Sequence, residues 1–131
     1  MYEEEALSEP KRLMIFIISP VRNISDSEKI ILTDIVKRAE LEGHSVYWPL
    51  RNTDQTDNIG YAICRQNIKA MESCDEVWIW WNPESEGSVF DLGVLLCLKE
   101  YLHIPVKLLN QPIATKGKSF SNIILRLTGY I

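Results

Sequence analysis

Apolar residues occur along the chain in short continuous runs that predict buried strands. The first run, residues 13–18, contains no polar residue and has the length of a strand covered on both faces. It stops at Ser19 and Pro20, since proline cannot continue a central strand. Further strands are predicted at residues 44–50, 77–81 and 104–109.

Segments with helical periodicity separate these strands. In residues 26–42 the apolar positions fall on one helical face, and Gly43 is the expected end. Either Ser25 or Asp26 is suited to cap the start of this helix. The helix predicted at residues 88–102 is apolar on nearly every side, which indicates burial. The other predicted helices are residues 59–73 and 119–127.

This alternation of strands and helices predicts an α/β protein. The expected fold is a doubly wound parallel sheet of four to five strands, flanked by helices in three layers, as in Rossmann-like or flavodoxin-like folds. Residues 1–11 are acidic and polar and are interpreted as a flexible leader, whereas residues 12–131 form one domain. Ligands of such folds lie beyond the carboxyl ends of the strands. That rule selects residues 19–23, 48–54, 81–91 and those around Asn110.

Composition and charge narrow the class of protein. The 131 residues carry a net charge of −4, which argues against a nucleic-acid polymer as partner but permits a single bound phosphate. No apolar run approaches the roughly 20 residues of a membrane span, and the acidic start does not resemble a signal peptide. Three cysteines without metal-ligand spacing and two histidines predict reduced core thiols, a cytoplasmic protein, and neither a metal nor a cofactor.

Two polar residues interrupt apolar helical faces and are the candidate catalytic residues. Asp91 shares a face with Leu95 and its apolar neighbours, where a carboxylate is costly unless something pairs with it. The alternative is an acid stabilised by the helix N-terminus. Asn67 lies within the apolar face of the helix at residues 59–73. It either bonds a backbone loop or orients a ligand or Asp91.

Residues at the predicted strand ends are candidates for substrate binding. Ser85, Gly87 and Ser88 lie where a helix begins, so their backbone N–H groups and hydroxyls suit an anion. An ordinary helix cap is the alternative, and no Walker or dinucleotide-binding motif is present. The remaining polar or turn-forming candidates are Ser19, Pro20, Arg22, Arg51 and Asp54, of which the arginines either meet a carboxylate or phosphate or stay solvated.

The tryptophans also allow two interpretations. Alternation along residues 77–81 places Trp78 and Trp80 on one face of the strand and Trp81 on the other. Trp48 and Trp81 lie at carboxyl ends of predicted strands, where an indole ring stacks on a nucleobase or belongs to the core.

Three segments resemble the nucleoside 2-deoxyribosyltransferase-like family. Residues 17–23, Ile-Ile-Ser-Pro-Val-Arg-Asn, are similar to its loop after the first strand, and residues 73–77 to its entry into the third. Residues 85–93, Ser-Glu-Gly-Ser-Val-Phe-Asp-Leu-Gly, resemble its signature turn and helix, and the likeness extends over about residues 13–110.

This resemblance implies that Asp91 is a nucleophile toward the anomeric carbon of a nucleoside, with a glycosyl-enzyme ester as intermediate. Best-known members carry glutamate at that position and aspartate at the position of Asn67, although some small stand-alone members share Phe-Asp-Leu-Gly. Serine at the position of Ser85 is typical of the nucleotide N-glycosidase branch, where it contacts a 5′-phosphate. The family also implies a homodimer or higher homo-oligomer.

Three hypotheses of function follow. The first is an enzyme that cleaves or exchanges the N-glycosidic bond of a nucleoside or nucleoside 5′-monophosphate, with a small molecule as its partner and no membrane. The second is a catalytically silent nucleotide sensor with the same fold, which Asn67 and the short Asp91 side chain favour. The third is a subunit whose tryptophans serve a protein partner.

Overall fold

Four parallel strands form one sheet in the order β2-β1-β3-β4. The computed structural model describes residues 11–131. Its strands are β1 (Met14–Ile18), β2 (Ser45–Tyr47), β3 (Glu76–Ile79) and β4 (Val106–Leu108). The predicted α/β fold with a doubly wound parallel sheet is therefore confirmed, with four strands in the described part of the chain.

Five helices connect or follow these strands. Helix α1 begins with a capping box, in which Ser25 accepts from the backbone of Glu28 and the Glu28 carboxylate accepts from the backbone of Ser25. A short helix, α2, directly follows β2. The helices are α1 (Asp26–Leu41), α2 (Pro49–Asn52), α3 (Tyr61–Glu72), α4 (Glu86–Leu102) and α5 (Phe120–Leu127).

The alternation of side chains along β1 divides the core into two layers. Ile15 and Ile17 pack against α1 on one face of the sheet, together with Trp78 and Trp80. On the other face the core is built from α3, α4 and α5, and it contains Trp81. The predicted separation of Trp78 and Trp80 from Trp81 is therefore correct.

The predicted second strand is too long. It was expected at residues 44–50, but β2 ends at Tyr47 and residues 49–52 form α2. Pro49 explains the difference, because proline lacks the N–H that a ladder needs and is favoured in the first turn of a helix. The polar segment after β2 is thus partly helical rather than a loop throughout.

The predicted burial of α4 and of all three cysteines is only partly correct. Leu92 and Leu95 are buried against the sheet, but Phe90 and Tyr101 are exposed. Cys74 is buried, Cys64 is half-buried and Cys97 is exposed. One side of α4 covers the sheet while its opposite side faces outward, so an all-round apolar sequence overstates its burial.

The order of the strands determines where a ligand site is expected. From β1 the chain adds β2 on one side of the sheet and later β3 on the other. The order in which strands are added therefore reverses between β1 and β3, although all strands are parallel. A crevice opens at such a switch point beyond the carboxyl ends of the strands. Residues 1–10 of the predicted leader lie outside the described residues, and no helix within residues 11–131 has the length and apolar character to cross a membrane.

Candidate functional site

A cleft of about 830 Å³ opens at this switch point. Its walls come from the loop after β1, the loop and first turns of α3, and the start of α4. Six of the predicted site residues line the cleft, namely Ser19, Arg22, Asn67, Ser85, Gly87 and Asp91. Ser88 follows Gly87 on α4 and is buried. The fold therefore brings together the candidates from three separate segments of the chain.

Asp91 lies in the second turn of α4 and is the buried acid of the cleft. It is 4% exposed and shares its helix face with buried Leu95. Burial raises the pKa of Asp91 from 3.8 to about 7, because a carboxylate is poorly stabilised away from water. Hydrogen bonding by the Asn67 side chain opposes this rise in pKa. Near neutral pH, Asp91 is therefore neutral in part of the molecules and ionised in the rest.

Asn67 projects from the buried face of α3 toward the same cleft. It is 8% exposed, and its Oδ1 accepts a hydrogen bond of 2.6 Å from the hydroxyl of Thr53. The predicted alternatives for Asn67 were a backbone loop, a ligand or Asp91. In the structure Asn67 accepts from the side chain of Thr53 and lines the cleft together with Asp91, and no backbone partner is present among the described residues.

The start of α4 presents small polar residues to the cleft. Ser85 caps the helix by accepting from the backbone N–H of Ser88 at 3.3 Å. The Ser88 hydroxyl is fully buried and has no hydrogen-bond partner among residues 11–131. Gly87 has open space where a side chain would project, so the backbone here is accessible to a ligand. The predicted helix cap is present, and it leaves room for an anion beside it.

Replacing Ser88 by alanine is expected to stabilise the protein by about 1 kcal/mol, because a buried hydroxyl without a partner loses its hydration for no gain. Urea unfolding of the Ser88→Ala variant beside the parent chain measures this difference. A Ser85→Ala variant is the contrast, since losing that cap is expected to destabilise by about 1 kcal/mol. Destabilisation by Ser88→Ala would show that its hydroxyl is bonded in solution.

The charges around the cleft are mostly negative. Among the described lining residues, Arg22 alone carries a cationic side chain, and it lies 3.8 Å from the carboxylate of Glu86. Both side chains are highly exposed, so this ion pair contributes little to stability. The acids of the lining are Asp57, Glu84, Glu86 and Asp91.

Trp48 and Trp81 do not line the cleft. Both rings are buried, and each indole N–H is already bonded, that of Trp48 to the Ser19 hydroxyl at 3.0 Å and that of Trp81 to Ser121 at 3.1 Å. Of their two interpretations, the structure favours the core. Trp48 still acts on the cleft indirectly, because it fixes the hydroxyl of Ser19.

The other predicted binding residues lie apart from the cleft. Arg51 makes two hydrogen bonds of 3.1 Å to Glu40 and one of 2.8 Å to the Val46 carbonyl, which ties α2 to its neighbours. Asp54 accepts from Thr56, and Pro20 is fully buried. The side chain of Asn110 is used within the fold. Its amide oxygen accepts from the Trp81 N–H, and its NH₂ group donates to the Trp81 carbonyl.

Sequence reasoning missed the segment before α3. Asp57 accepts from the backbone N–H groups of Ile59 and Ala62, and these bonds lower its pKa. Gly60 adopts a left-handed φ of 89° at the helix start, a conformation that glycine tolerates best. The sequence Asp-Asn-Ile-Gly before a helix is a recognisable start signal. It could have placed residues 57–60 at the cleft.

Among the described residues, no group of three or more His, Cys, Asp or Glu side chains is arranged to hold a metal ion. The arrangement that does exist is a buried carboxylate beside an amide, at the floor of an open cleft. Such a group can attack an electrophilic carbon when ionised or donate a proton when neutral.

The chain matches no model of a known protein family, and no curated protein sequence is significantly similar to it.

Proposed function

We propose that this protein cleaves or transfers at the N-glycosidic bond of a nucleoside or nucleoside 5′-monophosphate. The observation that carries the proposal is Asp91, a carboxyl group 4% exposed that lines an open cleft at the switch point of the sheet. A structural acid gains nothing from such a place, since burial raises its pKa to about 7. The resemblance of residues 85–93 to the nucleoside 2-deoxyribosyltransferase-like family supports the choice of reaction.

The chemistry requires two substitutions at one carbon. In the first, an ionised oxygen of Asp91 bonds to C1′ of the sugar while the C1′–N bond breaks. The electron pair stays on the base nitrogen, which takes a proton from solvent. In the second, water or another base attacks C1′, loses a proton, and releases the Asp91 carboxylate. Splitting the reaction in this way replaces one difficult step by two easier ones.

Asn67 supports a second candidate, a sensor that binds a nucleotide without turning it over. Its amide is neither an acid nor a base, so it does not protonate the departing base. Under this alternative Asp91 accepts a hydrogen bond from a ligand hydroxyl, and the ligand is recovered intact.

The test is a panel of nucleosides and nucleoside monophosphates, incubated with the protein in water alone and with a second free base. Chromatography then measures released base and any exchanged nucleoside. Base release supports a glycosidase, and a new nucleoside in the second set identifies a transferase. If no base appears but a ligand raises the melting temperature, the enzyme is excluded and the sensor is supported.

Charge is expected to influence which ligand is preferred. Ser85 and Gly87 at the start of α4 suit a phosphate, but Glu86 lies beside the Arg22 that would pair with it. Replacing Glu86 by glutamine is expected to strengthen nucleoside monophosphate binding by about three- to fivefold, because an exposed charge pair is worth up to about 1 kcal/mol. Binding of unphosphorylated nucleosides is expected to change less than about twofold on the same basis.

Calorimetric titration at low salt measures both affinities. The matched control is Glu100→Gln, which neutralises an exposed acid near the opposite end of α4. Because screening weakens exposed charge interactions, the difference is expected to shrink at high salt. Equal gains with the phosphorylated and unphosphorylated ligands would exclude a phosphate near Glu86.

A further inference from the structure

We infer that Thr53 is a positioning residue whose hydroxyl, oriented by Tyr47, holds the Asn67 amide with its NH₂ group toward Asp91. The inference deepens the proposed function and rests on it for any effect on turnover. The orientation itself is a property of the protein alone, so it can be measured without a substrate.

The direction of donation follows from counting hydrogens. Thr53 Oγ1 lies 2.6 Å from Asn67 Oδ1 and 2.7 Å from the hydroxyl oxygen of Tyr47. A threonine hydroxyl has one hydrogen, and Thr53 donates it to Asn67. The Tyr47 hydroxyl must therefore donate to Thr53, and the sequence of donors runs from Tyr47 through Thr53 to the carbonyl oxygen of Asn67.

With its oxygen turned toward Thr53, the Asn67 amide has its NH₂ group free to donate in the cleft. An NH₂ group donates, so it stabilises an ionised carboxylate more than a neutral one. This agrees with the effect of Asn67 on Asp91, whose pKa it lowers against the larger effect of burial. The reversed amide would present an oxygen to Asp91 and stabilise its protonated form instead.

Tyr47 and Thr53 are each held in place by contacts of their own. The Tyr47 ring stacks on Phe16 in the sheet, with 5.7 Å between ring centres and 9° between planes. Thr53 is buried at the end of α2, where its N–H bonds to the Pro49 carbonyl at 3.1 Å. Neither residue lines the cleft, so each acts on Asp91 only through Asn67.

Other groups also affect the titration of Asp91 and must stay unchanged in the test. The titratable and charged side chains that share the cleft with it are Cys64, Asp57, Arg22, Glu84 and Glu86. None of them contacts Thr53 or Tyr47 through a hydrogen bond in the described part of the chain. Substitutions at positions 47 and 53 therefore alter the amide orientation without altering these charges.

The experiment compares carboxyl titrations by ¹³C NMR in the full chain, with the Asp91 signal assigned by its loss in an Asp91→Asn variant. Thr53→Val keeps the shape of the side chain and removes its hydroxyl, and it is expected to raise the apparent pKa of Asp91 by about one unit. Thr53→Ser restores a hydroxyl and is expected to return the value to within about 0.3 units of the parent.

Tyr47→Phe is a second variant that leaves Thr53 in place and is expected to shift the titration upward by a smaller amount. An unchanged Asp91 titration in folded Thr53→Val or Tyr47→Phe protein would overturn the inference, and lower stability alone would indicate a merely structural role. If the parent chain releases no base from any nucleoside, the proposed function fails, but the titration shift still decides the inference.

Discussion

Asp91→Asn is expected to lower base release by at least about 1,000-fold, because an amide has no charged oxygen with which to attack C1′. The substitution conserves the shape of the side chain, so the cleft and the partners of Asn67 remain close to those of the parent. Initial rates of base release, measured by chromatography at saturating nucleoside, give the comparison. The control is Asp34→Asn, which removes an exposed carboxylate on α1 that pairs with Arg38.

The pH dependence of the same reaction identifies the active form of Asp91. A nucleophile must be ionised, so the rate is expected to rise about tenfold per pH unit below about 7 and to level off above it. A rate that falls through this range would mean that the neutral acid is the active form. Base release that survives in Asp91→Asn would exclude Asp91 as the nucleophile altogether.

The second large effect concerns the free energy of unfolding. The pKa of Asp91 rises from 3.8 to about 7 on folding because the group is buried. Between those two pH values the folded protein holds a proton that the unfolded chain has released, so stability falls as the pH rises. The full loss is roughly 4 kcal/mol, since each pKa unit is worth about 1.4 kcal/mol, and it is complete above about pH 7.

Asp91→Asn is expected to lack this dependence. Its stability is expected to equal that of the parent within about 1 kcal/mol near pH 4 and to exceed it by up to about 4 kcal/mol at pH 8. Urea unfolding at a series of pH values measures both curves. Parallel curves for parent and variant would show that Asp91 titrates at its ordinary value in the folded protein.

Three other carboxylates make the protein more stable as the pH rises, and they do so at lower pH than Asp91. Burial raises the pKa of Glu28, but its hydrogen bonds together outweigh that effect and lower the pKa on folding. Hydrogen bonds also lower the pKa values of Asp54 and Asp57. The stability that these groups provide is present above their unfolded values and is lost as the pH falls through the folded ones. The expected fall in stability between pH 5 and pH 8 therefore does not come from these three carboxylates.

The layers of the fold could be predicted because the burial of each strand is visible in its sequence. An uninterrupted apolar run predicted a strand covered on both faces, and period-two alternation correctly separated Trp78 from Trp81. The extent of β2 was less predictable. The β-forming residues Tyr47 and Trp48 continued the strand pattern up to Pro49, where the backbone turns into α2 instead.

The candidate site was predictable only in part. Asp91 and Asn67 interrupt apolar faces, a departure that can be read directly from helical spacing. Thr53 gave no such signal, because its role depends on which way two side chains from different elements point. The same limit applied to Trp48 and Trp81, since position at a strand end does not tell whether a ring turns toward a ligand or into the core.

Asp57 makes the two helix N-termini at the cleft differ from each other. Its carboxylate already occupies the N-terminus of α3, so the positive end of that helix dipole is neutralised by the protein itself. At α4 the serine cap bonds the N–H of Ser88, and the N–H groups of Glu86 and Gly87 have no acceptor within the described part of the chain. An anionic group therefore meets backbone donors and Arg22 at α4, where Glu86 opposes it, but a carboxylate already in place at α3, so an elongated ligand with one anionic end is expected to point that end toward α4.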